Sequence, residues 1–211
     1  MVGEAGCRQR LAAAARAVPG VVSVAQVSQV PLSRNGSNSG FAASRKQENS
    51  SAIAAVYITP DSLIKTWGLK LVEGRDFTPA EITEVDQNVT QESPPQVIIT
   101  RAMAEKIHPG VGSALGMPLF LGTGENAQQL QVVGVIDRLQ TQGAEVGEQG
   151  EYSVIFPVRL TGDGDTLLTI RTEAGQRDRV MKEAEQAIRA ATPDKLIVRI
   201  RSLDDDRDTR Y

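Results

Sequence analysis

Three stretches of the chain place residues where chemistry could be done. LGTGENA (residues 121–127) has the G-x-G-x-x-A spacing of a turn that lets backbone approach a pyrophosphate. That use needs a strand before the turn and a helix after it. A strand pattern resumes here at about Leu130, so the stretch reads as a hairpin turn. TGDGD (161–165) brings two carboxylates into a glycine-rich turn, but a calcium loop needs more oxygen ligands and a distal glutamate. It reads as a turn before a strand. The acidic run Asp204–Asp206 near the chain end reads as a solvated charge run.

His108 is the single histidine, so any Ser-His-Asp or Cys-His device would have to use it. It falls at a helix end before Pro109 and Gly110, where a partly cationic ring complements the helix dipole. No G-x-S-x-G elbow occurs, and one His with one Cys (Cys7) cannot assemble a His-rich or Cys-rich metal site. Glu73 and Asp76 flank Arg75, and an ion pair accounts for that grouping better than acid–base work does. N-x-S/T matches at Asn35, Asn49 and Asn88 lie in loops and read as chance. The expectation is a chain that is not an enzyme, with no catalytic residue, no metal ligand and no cofactor of its own.

Composition narrows the class further. A chain of 211 residues can bury a substantial core as one medium domain or two small ones. Apolar residues make up 40% but aromatics only 4%, so that core must be aliphatic. The net charge of −3 argues against a nucleic-acid partner. No run approaches the 18 apolar residues of a membrane span, and the first residues lack the basic and apolar regions of a signal peptide. One cysteine leaves the redox compartment undetermined.

The elements that must position these residues follow from periodicity. Leu11, Ala15 and Val18 share one face of a helix over 5–17, which Pro19-Gly20 ends. Strands are expected over 21–30, 52–60, 96–100, 117–121, 129–137, 152–158, 166–172 and 195–201. Helices are expected over 61–67, with Asp61 as cap or first-turn acid, and over 101–107. A third, over 176–192, carries Val180, Ala184, Ala187, Ile188 and Ala191 on one stripe. Residues 33–51, 83–95 and 139–151 read as polar loops, and the tail from Ser202 as frayed. Within LKLVEGRDFTPAE (69–81), Gly74 allows a tight reversal, Arg75 can tie down loop carbonyls or Asp76, and Phe77 is expected to anchor a core. Thr78, Pro79 and Glu81 have the spacing of a capped helix start.

The ends of the chain give helix–strand–strand and strand–helix–strand, the content of a split βαβ, ferredoxin-like layer. The expected fold is α+β, with 5–59 and 159–203 forming that layer, an inserted mixed α/β subdomain over 60–158, and a polar tail over 204–211.

The order AVPGVVSVAQVSQVPL (17–32), VYITPDSLIKTWGLKLVEGRDFT (56–78), QVIITRAMAEKIHPGVGSALGMPL (96–119), VVGVIDRL (132–139) and SVIFPV (153–158) resembles the periplasmic core domain of MacB-type ABC transporter permeases. That superfamily includes MacB, LolC, LolE and FtsX, and the resemblance covers about residues 10–203. It implies structural-motif roles for Pro19, Gly20, Gly74, Arg75, Asp76, Phe77 and Gly134. The chain departs from the family pattern at Ser62-Leu63 and at His108. The resemblance implies a porter-like layer and a sabre-like insert on the extracytoplasmic side of the bacterial inner membrane, joined to membrane helices outside this sequence. It further implies that ATP is bound by a separate cytoplasmic domain or subunit, that the permease pairs with a second copy, and that a periplasmic adaptor assists. The implied role is transmission of ATP-driven motion for export or extraction of a substrate. The alternative is an FtsX-like scaffold that recruits and regulates a partner protein. In either case the polar stretch 33–51 is a candidate contact tip, with Arg34, Phe41 and Arg45 as candidate partner contacts.

Overall fold

A computed structural model describes residues 4–33, 35–86, 93–143, 147–161, 165–193 and 199–208. In chain order the elements are α1 (Glu4–Arg16), β1 (Val21–Val27), β2 (Asn38–Ala42), β3 (Ala52–Thr59), α2 (Leu63–Trp67) and β4 (Leu71–Gly74). A 3-10 turn (Pro79–Glu81) leads into β5 (Thr83–Asp86), β6 (Gln96–Thr100), α3 (Arg101–Ile107), β7 (Pro118–Leu121) and β8 (Gln128–Ile136). A second 3-10 turn (Glu148–Glu151) precedes β9 (Ser153–Thr161), β10 (Leu167–Thr172), α4 (Arg177–Ala191) and α5 (Leu203–Asp208). The fold is α+β, as expected.

The larger sheet closes on itself. Its strands run β3-β2-β7-β8-β6-β9, and β9 pairs back onto β3, in parallel, from Ala55↔Ser153 to Thr59↔Pro157. β8 pairs with β7 through Gln128–Gln131 and with β4 through Gly134–Ile136, while β5 runs beside Val158–Thr161 of β9. Strand alternation sends one set of side chains inward. Phe41, Ala54, Val97, Leu119, Leu130 and Val154, one from each of the six ring strands, meet in a single buried cluster. α3 adds Met103 and Ile107 to that cluster. Residues on the opposite face, among them Tyr57, Ile98, Ile136 and Ile155, pack with Leu63 of α2 and Ala25 of β1. β9 is buried on both faces, so its sequence is a continuous apolar run rather than an alternation.

A second, two-stranded sheet pairs β1 antiparallel with β10. α1 lays Ala12 and Ala15 on Val24, Leu168 and Ile170, and α4 buries Val180 and Ala184 beside Val18. The apolar stripe read from α4 is therefore its packing face.

Several expectations change. Residues 38–42, read as part of an exposed loop, form β2, and Phe41 is fully buried inside the ring. Phe41 is thus a core residue rather than a partner contact, because ring closure needs a strand between β3 and β7. Arg34 lies outside the described residues. Arg45 is exposed and stacks over Phe120, 5.6 Å from the ring centroid. Residues 83–86 are a strand, and the tail forms α5. Arg199–Arg201 carry no strand, and the rest of the strand expected over 195–201 lies outside the described residues. β3, assigned from sequence to the split βαβ layer, takes its backbone hydrogen bonds from β2 and β9 of the larger sheet. Truncating Phe41 to Ala should cost about 3–5 kcal/mol in urea unfolding. A surface contact residue would change stability by well under 1 kcal/mol.

Candidate functional site

α2 joins the two sheets, beside direct bonds between Ser28 and Ile58 of β3 and from Arg8 of α1 to the Leu160 carbonyl of β9, and the sequence builds that joint residue by residue. Ser62, in extended conformation, caps the helix by accepting from the Lys65 amide at 3.1 Å. Gly68 ends it in the left-handed conformation at φ 67°. The cap expected from Asp61 thus falls to Ser62. Asp61 instead accepts from Arg16 of α1 at 2.7 Å and from the Gln26 amide of β1 at 2.9 Å.

One side of α2 is tied to the two-stranded sheet by polar contacts. Thr66 and Ser23 share a hydrogen bond at 2.6 Å. The Trp67 indole N–H donates to Thr169 Oγ1 at 2.9 Å, and Arg171 donates to the Lys65 carbonyl at 3.0 Å. The other side is apolar. Leu63 is buried against the ring, and Trp67 meets Tyr57 edge-on with centroids 5.6 Å apart at 86°. Tyr57 donates to the Gln140 carbonyl at 2.6 Å, and burial pushes its phenol far above the ordinary range. Trp67 is the only tryptophan of the chain, a signal the sequence offered without showing where the ring would point.

The Gly74–Phe77 turn buttresses α2 from behind. Gly74 pairs with Gly134 across β4 and β8. A Cβ at Gly74 would stand 2.2 Å from the Val133 carbonyl oxygen, and one at Gly134 would stand 2.4 Å from that of Arg75. Only glycine permits this approach at both positions, and Gly74 also sits at φ 71°. Asp76 accepts from the Ser62 hydroxyl and from the Phe77 amide, which links the turn to the α2 cap. Phe77 packs half-buried on the outer face of the ring beside α2, so it braces the joint rather than anchoring the inner core.

Arg75 forms a two-pronged bridge to Glu81, at 2.7 and 2.6 Å, and donates to the Asp76 carbonyl. Glu81 also accepts from the Thr78 amide at 2.8 Å and the Thr78 hydroxyl at 3.0 Å. The Arg75 bonds, followed by those from Thr78, hold the Glu81 carboxyl down at about 2. The spacing of Thr78, Pro79 and Glu81 was legible as a helix start; the result is a single 3-10 turn.

Gly74, Arg75, Asp76, Phe77 and Gly134 are therefore brought together. Pro19 and Gly20 lie at the far end of the other sheet, where the Pro19 carbonyl accepts from Arg179 of α4 and the Gly20 carbonyl from the Glu173 amide. His108 caps α3, with its ring nitrogen 2.9 Å from the Pro118 carbonyl oxygen. LGTGENA forms the β7–β8 hairpin. No described helix is long and apolar enough to cross a membrane.

A closed mixed barrel, a two-stranded layer clad by two helices and a short helical joint define an α+β domain of two linked bodies. The sequence matches the family model of the MacB-like periplasmic core domain over residues 4–191. The chain belongs to that family, a class of extracytoplasmic domains of ABC transporter permeases. Among solved structures it is similar to the extracellular domain of the noncanonic ABC-type transporter YknZ from Gram-positive bacteria, with TM-score 0.56 and 18% identity over 89% of this chain and 84% of that one. It is also similar to the periplasmic region of MacB from Actinobacillus actinomycetemcomitans, with TM-score 0.52 and 17% identity over 84% of this chain and 72% of that one. No curated protein matches the chain.

Replacing Gly134 with Ala should destabilise the domain by roughly 1–3 kcal/mol or more, because the methyl meets backbone that cannot yield. Phe77→Ala should cost about 2 kcal/mol, less than full burial would give. Both are read from urea midpoints. The Glu81 carboxyl is depressed when folded, so its contribution to stability is present above its ordinary value of 4.5 and is lost as pH falls toward 2. Glu81→Gln should therefore flatten the loss of stability between those pH values; an unchanged acid limb would contradict the assignment.

Proposed function

We propose that this domain carries ATP-driven conformational change from the membrane part of an ABC transporter permease to the extracytoplasmic side, where it drives export or extraction of a substrate. In this reading the domain does no bond chemistry. ATP is bound by a separate cytoplasmic domain or subunit, a second permease copy faces this one, and a periplasmic adaptor receives the motion. Family membership supports the setting. The observation that carries the mechanism is α2, fixed by directional hydrogen bonds to β1 and β10 on one side and by apolar packing to the barrel on the other. A displacement of the α1–β1 layer is passed through this short helix to the barrel without crossing a flexible linker.

The test uses the complete permease in vesicles, with spin labels on the extracytoplasmic domains of the two copies. ATP should change the distance between labels. The double substitution Trp67→Phe with Thr169→Val should leave ATP hydrolysis within about twofold and abolish most of that change. A full distance change in the double variant would contradict the proposed route.

A further inference from the structure

We propose that the outer edge of β1 is a docking edge for an extended segment of a partner polypeptide. Among the described residues β1 is paired with a strand on one side only, by β10; on the other side β3 approaches just beyond its end, where the Ser28 amide donates to the Ile58 carbonyl at 3.0 Å and closes that end of the edge. Two backbone groups on its other side, the Val24 carbonyl and the Gln26 amide, are met by side chains in place of a neighbouring strand. Arg16 donates to the carbonyl at 3.3 Å, and Asp61 accepts from the amide at 2.9 Å. Arg16 and Asp61 also pair with each other at 2.7 Å, with side-chain exposures of 46% and 22%. This is how an edge strand is kept from indiscriminate pairing, and an incoming strand would have to replace both of these bonds with its own.

The edge opens onto a groove of about 460 Å³ between the last turn of α1 and the start of α2, lined by Arg16, Val22, Val24, Asp61, Ser62 and Lys65. Val22, at the register shift of β1, is 58% exposed there. The hydrogen-bonding pattern of the edge fixes the chemistry of the occupant. An incoming strand would give an N–H to the Val24 carbonyl and a carbonyl to the Gln26 amide, as in β-augmentation. Five residues facing Val22–Gln26 would span about 17 Å. Side-chain selection follows from the groove walls. An apolar residue covers Val22. Because Arg16 and Asp61 neutralise each other, the charge left to satisfy is that of Lys65, which is exposed and forms no ion pair among the described residues. The preferred segment is therefore extended, with apolar and acidic residues alternating. This choice runs against the net charge of −3, which would favour a basic peptide in any nonspecific encounter.

The probe is a capped heptapeptide of alternating valine and glutamate, titrated into the ¹⁵N-labelled 211-residue chain and followed by amide shifts. Saturable shifts centred on Val22, Val24 and Gln26 are expected. The lysine counterpart should bind about fivefold more weakly, and N-methylation of alternate peptide amides should abolish binding. Lys65→Glu, on the surface, should reverse the charge preference without altering the fold. The proposal is overturned if no shifts appear at β1, if N-methylated and parent peptides bind alike, or if the β1 shifts follow protein concentration with no peptide present, which would assign the edge to a second copy. The titration reads neither transport nor ATP use, so its failure would leave the mechanical role of α2 standing.

Discussion

β3 is hydrogen-bonded along both of its edges, antiparallel to β2 and parallel to β9. Everything else depends on that double pairing. Without the β9 pairing the larger sheet would be an open ribbon, with Phe41, Ala54 and Val154 facing solvent instead of one another. With it, the inner side chains of six strands enclose an aliphatic core, and α3 supplies Met103 and Ile107 to it. A chain with so few aromatic residues reaches a closed core by surrounding small side chains with backbone rather than by filling space with large rings.

Closure also fixes where α2 can stand. α2 follows β3 after only three residues, so a β3 held on both edges delivers the helix to one place on the outer face of the ring. The Gly74–Gly134 approach then brings the Arg75–Phe77 turn close enough for Asp76 to reach Ser62, and the helix is held at its cap as well as along its length. The contacts to β1 and β10 come from side chains on the strand face opposite α1. The two-stranded layer is thus held between helices on both sides. Stiffness here comes from geometry distributed over many short contacts, with no single buried charge responsible.

Much of this was legible in the sequence where the signal is local. β6 and α3 have the expected bounds, because an apolar run gives way at Thr100 to a helix pattern that stops at His108-Pro109-Gly110. The left-handed backbone at Gly74 was legible as a turn, since Glu-Gly-Arg-Asp punctuates an apolar stretch. β2 was not legible. Its Asn38-Ser39-Gly40 start looks like loop, and only pairing with residues far along the chain buries Phe41 and Ala42. β5 was hidden for the same reason, as a polar tetrapeptide made into strand by β9. The helix of the joint was legible over 61–67, but its ties to the two sheets were not. Ser23, Thr66, Thr169 and Arg171 are ordinary residues whose importance lies in partners about 40 to 106 positions away.

The central claim is that α2 holds the two bodies in one fixed relation. The most direct measurement is the pulsed electron-spin distance between Lys182→Cys on α4 and Gln129→Cys on β8, both exposed sites, with Cys7→Ser removing the native thiol. A single narrow distribution, unchanged by moderate salt, is the expected result. A broad or two-peaked distribution in the otherwise unaltered chain would mean that the bodies move independently, and that α2 is a linker rather than a joint.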